Sequence, residues 1–122
     1  YTDLTTVLRD LEERVREEPT GTHADEIETS IMLYAHPKVV QLEKARRDIH
    51  GRSVKGPLTR DPNVTSGIYS PSGAWGDPTL ATREKGEIIV ESFVDRLVHF
   101  LERFVAGNYI PEPLREKYLS NP

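Results

Sequence analysis

The feature that most limits the fold of this sequence is a segment dense in glycine and proline, residues 49–81. The glycines and prolines of this segment are Gly51, Gly56, Pro57, Pro62, Gly67, Pro71, Gly73, Gly76 and Pro78. Proline lacks a backbone donor and glycine is permissive, so regular structure is short where both are frequent. We therefore expect a long loop of the kind that often carries function, with at most a short strand at residues 64–69.

Helices are predicted on both sides of this loop. Residues 3–18 have apolar side chains at helical spacing and charged side chains elsewhere. A second helix is predicted over residues 25–35, which are apolar on more than one side and should be well buried, and a short third helix over residues 38–48. The apolar stripe of the first helix consists of Leu4, Val7, Leu8, Leu11 and Val15.

The longest predicted helix runs from Thr82 to Val105 and stops before Gly107. Its apolar stripe consists of Ile89, Phe93, Leu97, Phe100, Leu101 and Phe104. Several helices thus have apolar faces, whereas almost no strands are available to cover them. The chain could be all-helical, but the long loop is unlike a bundle connection. The favoured interpretation is an α/β fold whose sheet lies mostly in sequence that is not present here.

Composition excludes several classes of function. The net charge is −4, from 16 basic and 20 acidic residues, which argues against nucleic acid as a partner. The densest basic stretch, Arg46-Arg47 with Arg52 and Lys55 nearby, is interpreted as solvated surface. The chain has no cysteine, so disulfides and thiolate sites are excluded. No apolar run approaches the roughly 20 residues of a membrane span. A cytoplasmic protein without a membrane partner is expected.

His23 is the first candidate for chemistry. It follows a Pro-Thr-Gly turn and precedes a predicted helix, where a side chain is held on a rigid support. Histidine is the residue best matched to proton transfer near neutral pH. The alternative is a loop or capping histidine bonded to the backbone, which is the commoner outcome for a lone histidine.

Glu26 and Glu28 cannot share one face of a helix, since residues two apart point about 200° from each other. Glu28 is followed by more apolar sequence, so we expect it to face the interior, paired or bound to metal, and Glu26 to face solvent. An arginine partner for Glu28 is the alternative. Asp25 is expected to cap the helix.

Complete metal motifs are absent from the sequence. His36, His50 and His99 are scattered, and the chain supplies at most one or two of the three protein ligands typical of catalytic zinc. Trp75 lies among the glycines of the long loop. Its ring could close over a ligand or could pin the loop, and both interpretations stay open.

Two runs of the sequence, in this order, resemble the carboxyl-terminal half of the creatininase family. The first run, residues 23–30, reads His-Ala-Asp-Glu-Ile-Glu-Thr-Ser and is followed by an apolar helix and Pro37. It resembles the family's His-Ala-Gly-x-x-Glu-Thr-Ser, except that Asp25 stands where glycine is common. The second run, residues 76–86, reads Gly-Asp-Pro-Thr-Leu-Ala-Thr-Arg-Glu-Lys-Gly and matches Gly-Asp-Pro-x-x-Ala-Thr-x-Glu-Lys-Gly. The resemblance covers roughly residues 20–106.

The resemblance implies a three-layer αβα fold with a mainly parallel sheet, of which this chain supplies mostly helices and a long loop. It also implies a homohexamer and a divalent metal centre of zinc, manganese or iron. The family's main metal ligands lie in Glu-x-His-Gly and Asn-Gly-His runs of its amino-terminal half, which do not occur here. The missing N-terminal half of the same protein is therefore the implied partner. Residues 1–106 would be the C-terminal part of the domain, and 107–122 an extended proline-containing arm.

The resemblance also implies an activity and two catalytic residues. His23 matches a histidine that contacts substrate and shuttles a proton, and Glu28 matches a glutamate close to the metal, where it could be a ligand. The implied function is hydrolysis of a small amide, cyclic amide or cyclic ketone by a metal-activated water. Residues 19–22 lack the family's creatinine-binding Trp-Asp-x-Glu pattern, so creatinine is not expected as the substrate. A non-catalytic interaction or assembly module is the alternative.

Overall fold

The computed structural model describes residues 2–49, 57–63 and 65–107, with side chains from residue 9 onward. These residues fall into two compact units, one ending at Val90 and one beginning at Glu91. Some predictions lie outside the described residues. They concern the arm beyond Gly107, His50, the basic residues Arg52 and Lys55, the start of the predicted strand at Val64, and the side chains of Leu4, Val7 and Leu8.

Three α-helices and two short strands make up the regular structure of the described residues. The helices are α1 (Thr2–Val15), α2 (Glu26–Ala35) and α3 (Arg83–Val105). Single 3₁₀ turns occur at Pro37–Val39, Leu42–Lys44 and Pro78–Leu80. The strands β1 (Leu58–Thr59) and β2 (Ile68–Tyr69) are parallel, with Leu58 opposite Ile68 and Thr59 opposite Tyr69. Within this part of the chain, no helix has both the length and the apolarity to cross a membrane.

The helix prediction over residues 38–48 was wrong, because this stretch forms two separate 3₁₀ turns. The N–H of Val40 donates to the carbonyl of Pro37 over 3.3 Å, and that of Ala45 to the carbonyl of Leu42 over 3.0 Å. Both bonds span three residues, so neither turn propagates as an α-helix. The predicted strand is confirmed only at Ile68–Tyr69, and its partner β1 was not predicted.

Helix α1 ends three residues earlier than predicted, and the Glu26 carboxylate explains why. The N–H of Arg16 still donates to the carbonyl of Glu12 over 2.9 Å. The next two N–H groups, of Glu17 and Glu18, instead donate to the carboxylate of Glu26 over 3.0 to 3.1 Å. Because a long-range acceptor takes these donors, the helical ladder stops at Val15.

The Glu26 carboxylate also binds the ammonium group of Lys85, near the start of α3, over 2.6 Å. The side chain of Glu26 is fully buried, and that of Lys85 is mostly buried. Lys85 also pairs with Glu17 and donates to the carbonyl of Leu80 over 2.9 Å. One buried carboxylate thus links the end of α1, the first residue of α2 and the first turns of α3.

These contacts set the charge state of both groups. Burial alone would raise the pKa of Glu26, but the N–H of Glu18, the ammonium of Lys85 and the N–H of Glu17 hold that pKa below its ordinary value. Burial alone would lower the pKa of Lys85, but its hydrogen bonds to Glu17 and Glu26 raise it. Both groups are therefore charged at neutral pH.

Helices α2 and α3 meet at Gly86 with no room for a side chain. A Cβ atom at Gly86 would lie 1.9 Å from the carbonyl oxygen of Ser30 and 2.9 Å from the Cβ of Tyr34. The hydroxyl of Ser30 donates to the carbonyl of Glu26 and accepts from the N–H of Thr82 over 3.1 Å. The buried face of α2 consists of Glu26, Ile27 and Ser30. Met32 is 40% exposed, so the helix is less buried than predicted.

The prediction of a helix from Thr82 to Val105 is confirmed within one residue. Ile89 of its apolar stripe is 1% exposed, in the first unit. In the second unit Leu101 is 48% and Phe104 54% exposed, and the rings of Phe100 and Phe104 stack with centroids 6.4 Å apart. The apolar stripe is thus real, but its C-terminal end is open among the described residues.

Substitution of Glu26 by glutamine should destabilise the protein by about 3 kcal/mol, since it leaves the ammonium of Lys85 without its buried partner. Glu87→Gln is the matched control, because Glu87 forms an exposed pair with Arg83 over 2.8 Å. The control should cost at most about 0.5 kcal/mol. Urea denaturation followed by circular dichroism measures both values. Equal effects of the two substitutions would contradict the structural role of Glu26.

The stabilisation by this pair should be lost at both ends of the pH scale. Because the folded pKa of Glu26 is lowered, its contribution is present above the unfolded value of about 4.3 and disappears as pH falls through the folded pKa. Because the folded pKa of Lys85 is raised, its contribution is present below about 10.4 and disappears as pH rises through the folded pKa. The measurement is the difference in unfolding free energy between wild type and Glu26→Gln across the acid and alkaline ranges. A difference that does not change with pH would be the contrary result.

Substitution of Gly86 by alanine should destabilise the protein, although alanine is the better helix former by about 1 kcal/mol. The added methyl group would overlap the Ser30 carbonyl, and such overpacking costs about 1–3 kcal/mol or more. Thermal unfolding monitored by circular dichroism provides the test. An unchanged or higher melting temperature would show that α2 and α3 do not meet in this way.

Candidate functional site

His23 lies between α1 and α2, half-exposed, with its backbone paired to Trp75. The N–H of Trp75 donates to the carbonyl of His23 over 2.6 Å, and the N–H groups of Thr22 and His23 donate to the carbonyl of Trp75 over 2.9 and 3.3 Å. This short ladder fixes the backbone of His23. It also brings the beginning of the first run against the loop that leads into the second run.

Trp75 is buried, with 6% of the residue exposed. Of the two interpretations left open by the sequence, this burial supports the one in which Trp75 pins the long loop. A loop pinned at the residue that pairs with His23 gives this histidine a rigid setting.

Asp25 caps α2, as predicted. Its carboxylate accepts from the N–H groups of Ile27 and Glu28 over 3.0 and 2.9 Å, and its other oxygen accepts from the guanidinium of Arg16 over 3.0 Å. Gly76 lies so close that a Cβ there would be 2.4 Å from the Cβ of Asp25. The first glycine of the second run thus packs directly on the capping residue of the first run.

The assignment of Glu28 to the interior and Glu26 to solvent was wrong, because the structure reverses it. Glu28 is exposed, and its carboxylate accepts from the N–H of Ala24 over 2.6 Å. Ala24 has a φ of 43°, in the left-handed region that disfavours residues with a side chain. Glu26 can be buried because its carboxylate accepts hydrogen bonds from the N–H groups of Glu17 and Glu18 and from the ammonium of Lys85.

A cavity of about 690 Å³ opens beside the first run. Ala24 and Thr29 of the first run line it, as do Ala74 and Pro78 from the region of the second. Its wall also includes four basic residues, Lys44, Arg46, Arg47 and Arg60. Sequence reasoning interpreted Arg46-Arg47 as ordinary solvated surface. Both arginines are exposed, in agreement with that interpretation, and they also lie on the wall of this cavity, together with Arg60 from a different segment.

Asp48 forms part of the cavity wall and is buried. One of its oxygens accepts from the hydroxyl of Ser70 over 2.8 Å, from the N–H of Ser72 over 3.1 Å, and from the hydroxyl of Ser72. The backbone of Asp48 pairs with that of Gly76. This cluster was not predictable from the sequence, because no motif links an aspartate to serines 22 and 24 residues away.

Comparison with known proteins decides the family. Residues 2–101 match the family model of creatininase, described as creatinine amidohydrolase. This chain belongs to the creatininase family. The match begins well before the first run and covers most of the chain, whereas the resemblance in the sequence rested on two short runs.

A solved structure shows the same fold. It is that of a Bacteroides fragilis NCTC 9343 protein with the provisional name creatinine amidohydrolase, 27% identical in sequence, with a TM-score of 0.58. The similarity covers 79% of this chain and 40% of that one, so this chain spans less than half the length of its structural relative. The described residues thus form part of the creatininase α/β fold, mostly its helices. Among curated proteins, none matches the chain.

The creatininase family is generally metal-dependent, and a catalytic metal centre needs several protein ligands that converge on one point. Within residues 2–49, 57–63 and 65–107, no group of three or more histidine, aspartate or glutamate side chains is placed to hold an ion. His23 and Glu28 are both near the N-terminus of α2, whereas His36 caps its C-terminus and His99 lies on α3. These residues do not fit a metal by themselves.

Proposed function

We propose that this chain is part of a metal-dependent amidohydrolase in which His23 transfers a proton to or from the reacting molecule. The observation that carries the proposal is the creatininase family match over residues 2–101. The substrate class is a small amide, cyclic amide or cyclic ketone. The main metal ligands would come from the N-terminal half of the same protein, as the partner of this chain.

The surroundings of His23 support its role. Its backbone is fixed by the bonds to Trp75, and the residue is half-buried rather than fully buried. The next residue, Ala24, lines the cavity, so the histidine adjoins a space large enough for a small substrate. General acid–base catalysis requires a histidine held in position and within reach of the substrate, and a fixed backbone beside a cavity meets the first requirement.

Glu28 is proposed as a second residue of the site. Its carboxylate is exposed and is held by the N–H of Ala24, which orients it at the same end of α2 as His23. An exposed carboxylate in a fixed position could complete a metal centre as one ligand, or could orient His23. The nature of the metal (zinc, manganese or iron), the homohexamer and the cytoplasmic location stay predictions.

The alternative function is a non-catalytic interaction or assembly module. The observation in its favour is the exposed apolar face at the end of α3, where Val98 is 46% and Val105 84% exposed. The test is turnover in the protein assembled with its N-terminal half. If this protein binds metal but hydrolyses no small amide, cyclic amide or cyclic ketone, the alternative is favoured.

Substitution of His23 by alanine should lower turnover at least about 100-fold in the protein assembled with its metal-binding part, since general acid–base catalysis contributes that much. Metal content, measured by atomic emission, should not change. His99→Ala is the matched control, because His99 is an exposed histidine of α3 that contacts Glu102. The control should keep full turnover. Full turnover in His23→Ala would refute the role proposed for this histidine.

A further inference from the structure

The cavity beside the first run has an excess of positive charge. We call it the basic cavity and define it by Lys44, Arg46, Arg47 and Arg60 on its wall. Asp48 is the acidic residue among the described wall residues, and the hydroxyls of two serines already donate to its carboxylate. The whole chain has a net charge of −4, so this excess is local to the cavity.

Three of these four basic side chains are not neutralised by a carboxylate within the described part of the chain. Arg47 pairs with Glu18 over 3.1 Å. Arg60 donates to the carbonyl of Ser72 over 3.1 Å, and Lys44 donates to the side-chain oxygen of Gln41 over 2.6 Å. Arg46 forms no ion pair there. A guanidinium has five donors, so Arg46 and Arg60 keep several for a ligand.

The rest of the wall suits an organic molecule rather than a bare ion. The volume of about 690 Å³ lies within the range of small-molecule sites. Apolar wall residues are Val40, Leu42, Ala45, Pro71, Ala74 and Pro78. A lone phosphate would leave this apolar surface uncovered, whereas a small acid with an apolar body would use both parts of the wall.

We propose that the basic cavity binds a small organic acid, whose carboxylate or phosphate group is held chiefly by Arg46 and Arg60 and whose apolar body lies on Val40 and Leu42. Carboxylate and phosphate share the pair of oxygens that a guanidinium binds in two-pronged fashion. The inference that an acid binds here depends only on the residues that line the cavity.

The position of the basic cavity links it to the chemistry proposed for His23. Ala24 and Thr29 line the cavity, and they lie next in sequence to His23 and Glu28. The acid would therefore be the substrate or product of the amidohydrolase, which would select molecules with a negative charge. This assignment, unlike the binding itself, rests on the proposed function.

A pair of ligands that differ in charge but hardly in shape tests the binding. Phenylacetate and phenylacetamide can be titrated into the full 122-residue chain at low salt, with phenyl phosphate as the second acid. Dissociation constants come from amide chemical shifts in NMR spectra. We expect at least one acid to bind about tenfold or more tightly than the amide, to shift the amides of Ala24, Thr29 and Ala45, and to weaken with added salt. The ratio of the dissociation constants of phenylacetate and phenyl phosphate distinguishes a carboxylate site from a phosphate site.

Variants assign the binding to the two arginines. Arg46→Gln and Arg60→Gln should each weaken the acid about tenfold, while Arg46→Lys, which keeps the charge but not the fork, should weaken it less. Arg9→Gln is the matched control on the exposed face of α1 and should bind normally. The proposal would be overturned if the acid and the amide bind equally, or if all variants bind the acid equally. It would also be overturned if the NMR chemical-shift changes are confined to residues away from the cavity.

The binding test is independent of turnover. Arg46→Gln should weaken binding of the acid to the 122-residue chain, whether or not the assembled protein turns the acid over. Weakened binding in that variant, together with loss of turnover in assembled His23→Ala, would support both proposals. Binding of the acid by the 122-residue chain, with no turnover in the protein assembled with its N-terminal half, would refute the proposed function and leave the acid site standing.

Discussion

The rest of the structure depends on where one carboxylate finds its donors. Glu26 is fully buried, and it is tolerated there because two backbone N–H groups at the end of α1 and the ammonium of Lys85 point at it. A buried carboxylate with fewer partners would be too costly to keep charged. Since these donors come from separate segments, the carboxylate fixes the relative placement of α1, α2 and the start of α3. The position of His23 follows, because this residue lies in the short connection between α1 and α2.

Local physics accounts for what the sequence predicted well. The start of α2 was predictable because Asp25 caps it within three residues, and the extent of α3 because its apolar stripe is long and ends near a glycine. The family was predictable because two runs in fixed order are far more specific than either alone. The helical period also showed that Glu26 and Glu28 must face opposite ways.

Long-range contacts account for what the sequence could not give. Which glutamate faces the interior depends on Lys85, 59 residues from Glu26. Arg46 and Arg60 likewise come from separate segments and both line the basic cavity. Asp48, another residue of its wall, is hydrogen-bonded to serines of another loop. No period or motif connects such residues, so only the folded chain shows them together. The apolar stripe of α3 was predictable as a pattern, but the burial of Ile89 and the exposure of Leu101 and Phe104 were not.

The contact between α2 and α3 has a consequence for how proteins of this kind are recognised. In the second run, Gly76 packs on Asp25, Lys85 neutralises Glu26, and Gly86 touches Ser30. All three therefore contribute to the folding of the chain. A search that relies on this run selects sequences that can form the same contacts between α2 and α3. These include any sequences that no longer have catalytic activity. If the role proposed for His23 holds, active and inactive relatives should differ in the short connection between α1 and α2, which contains this histidine.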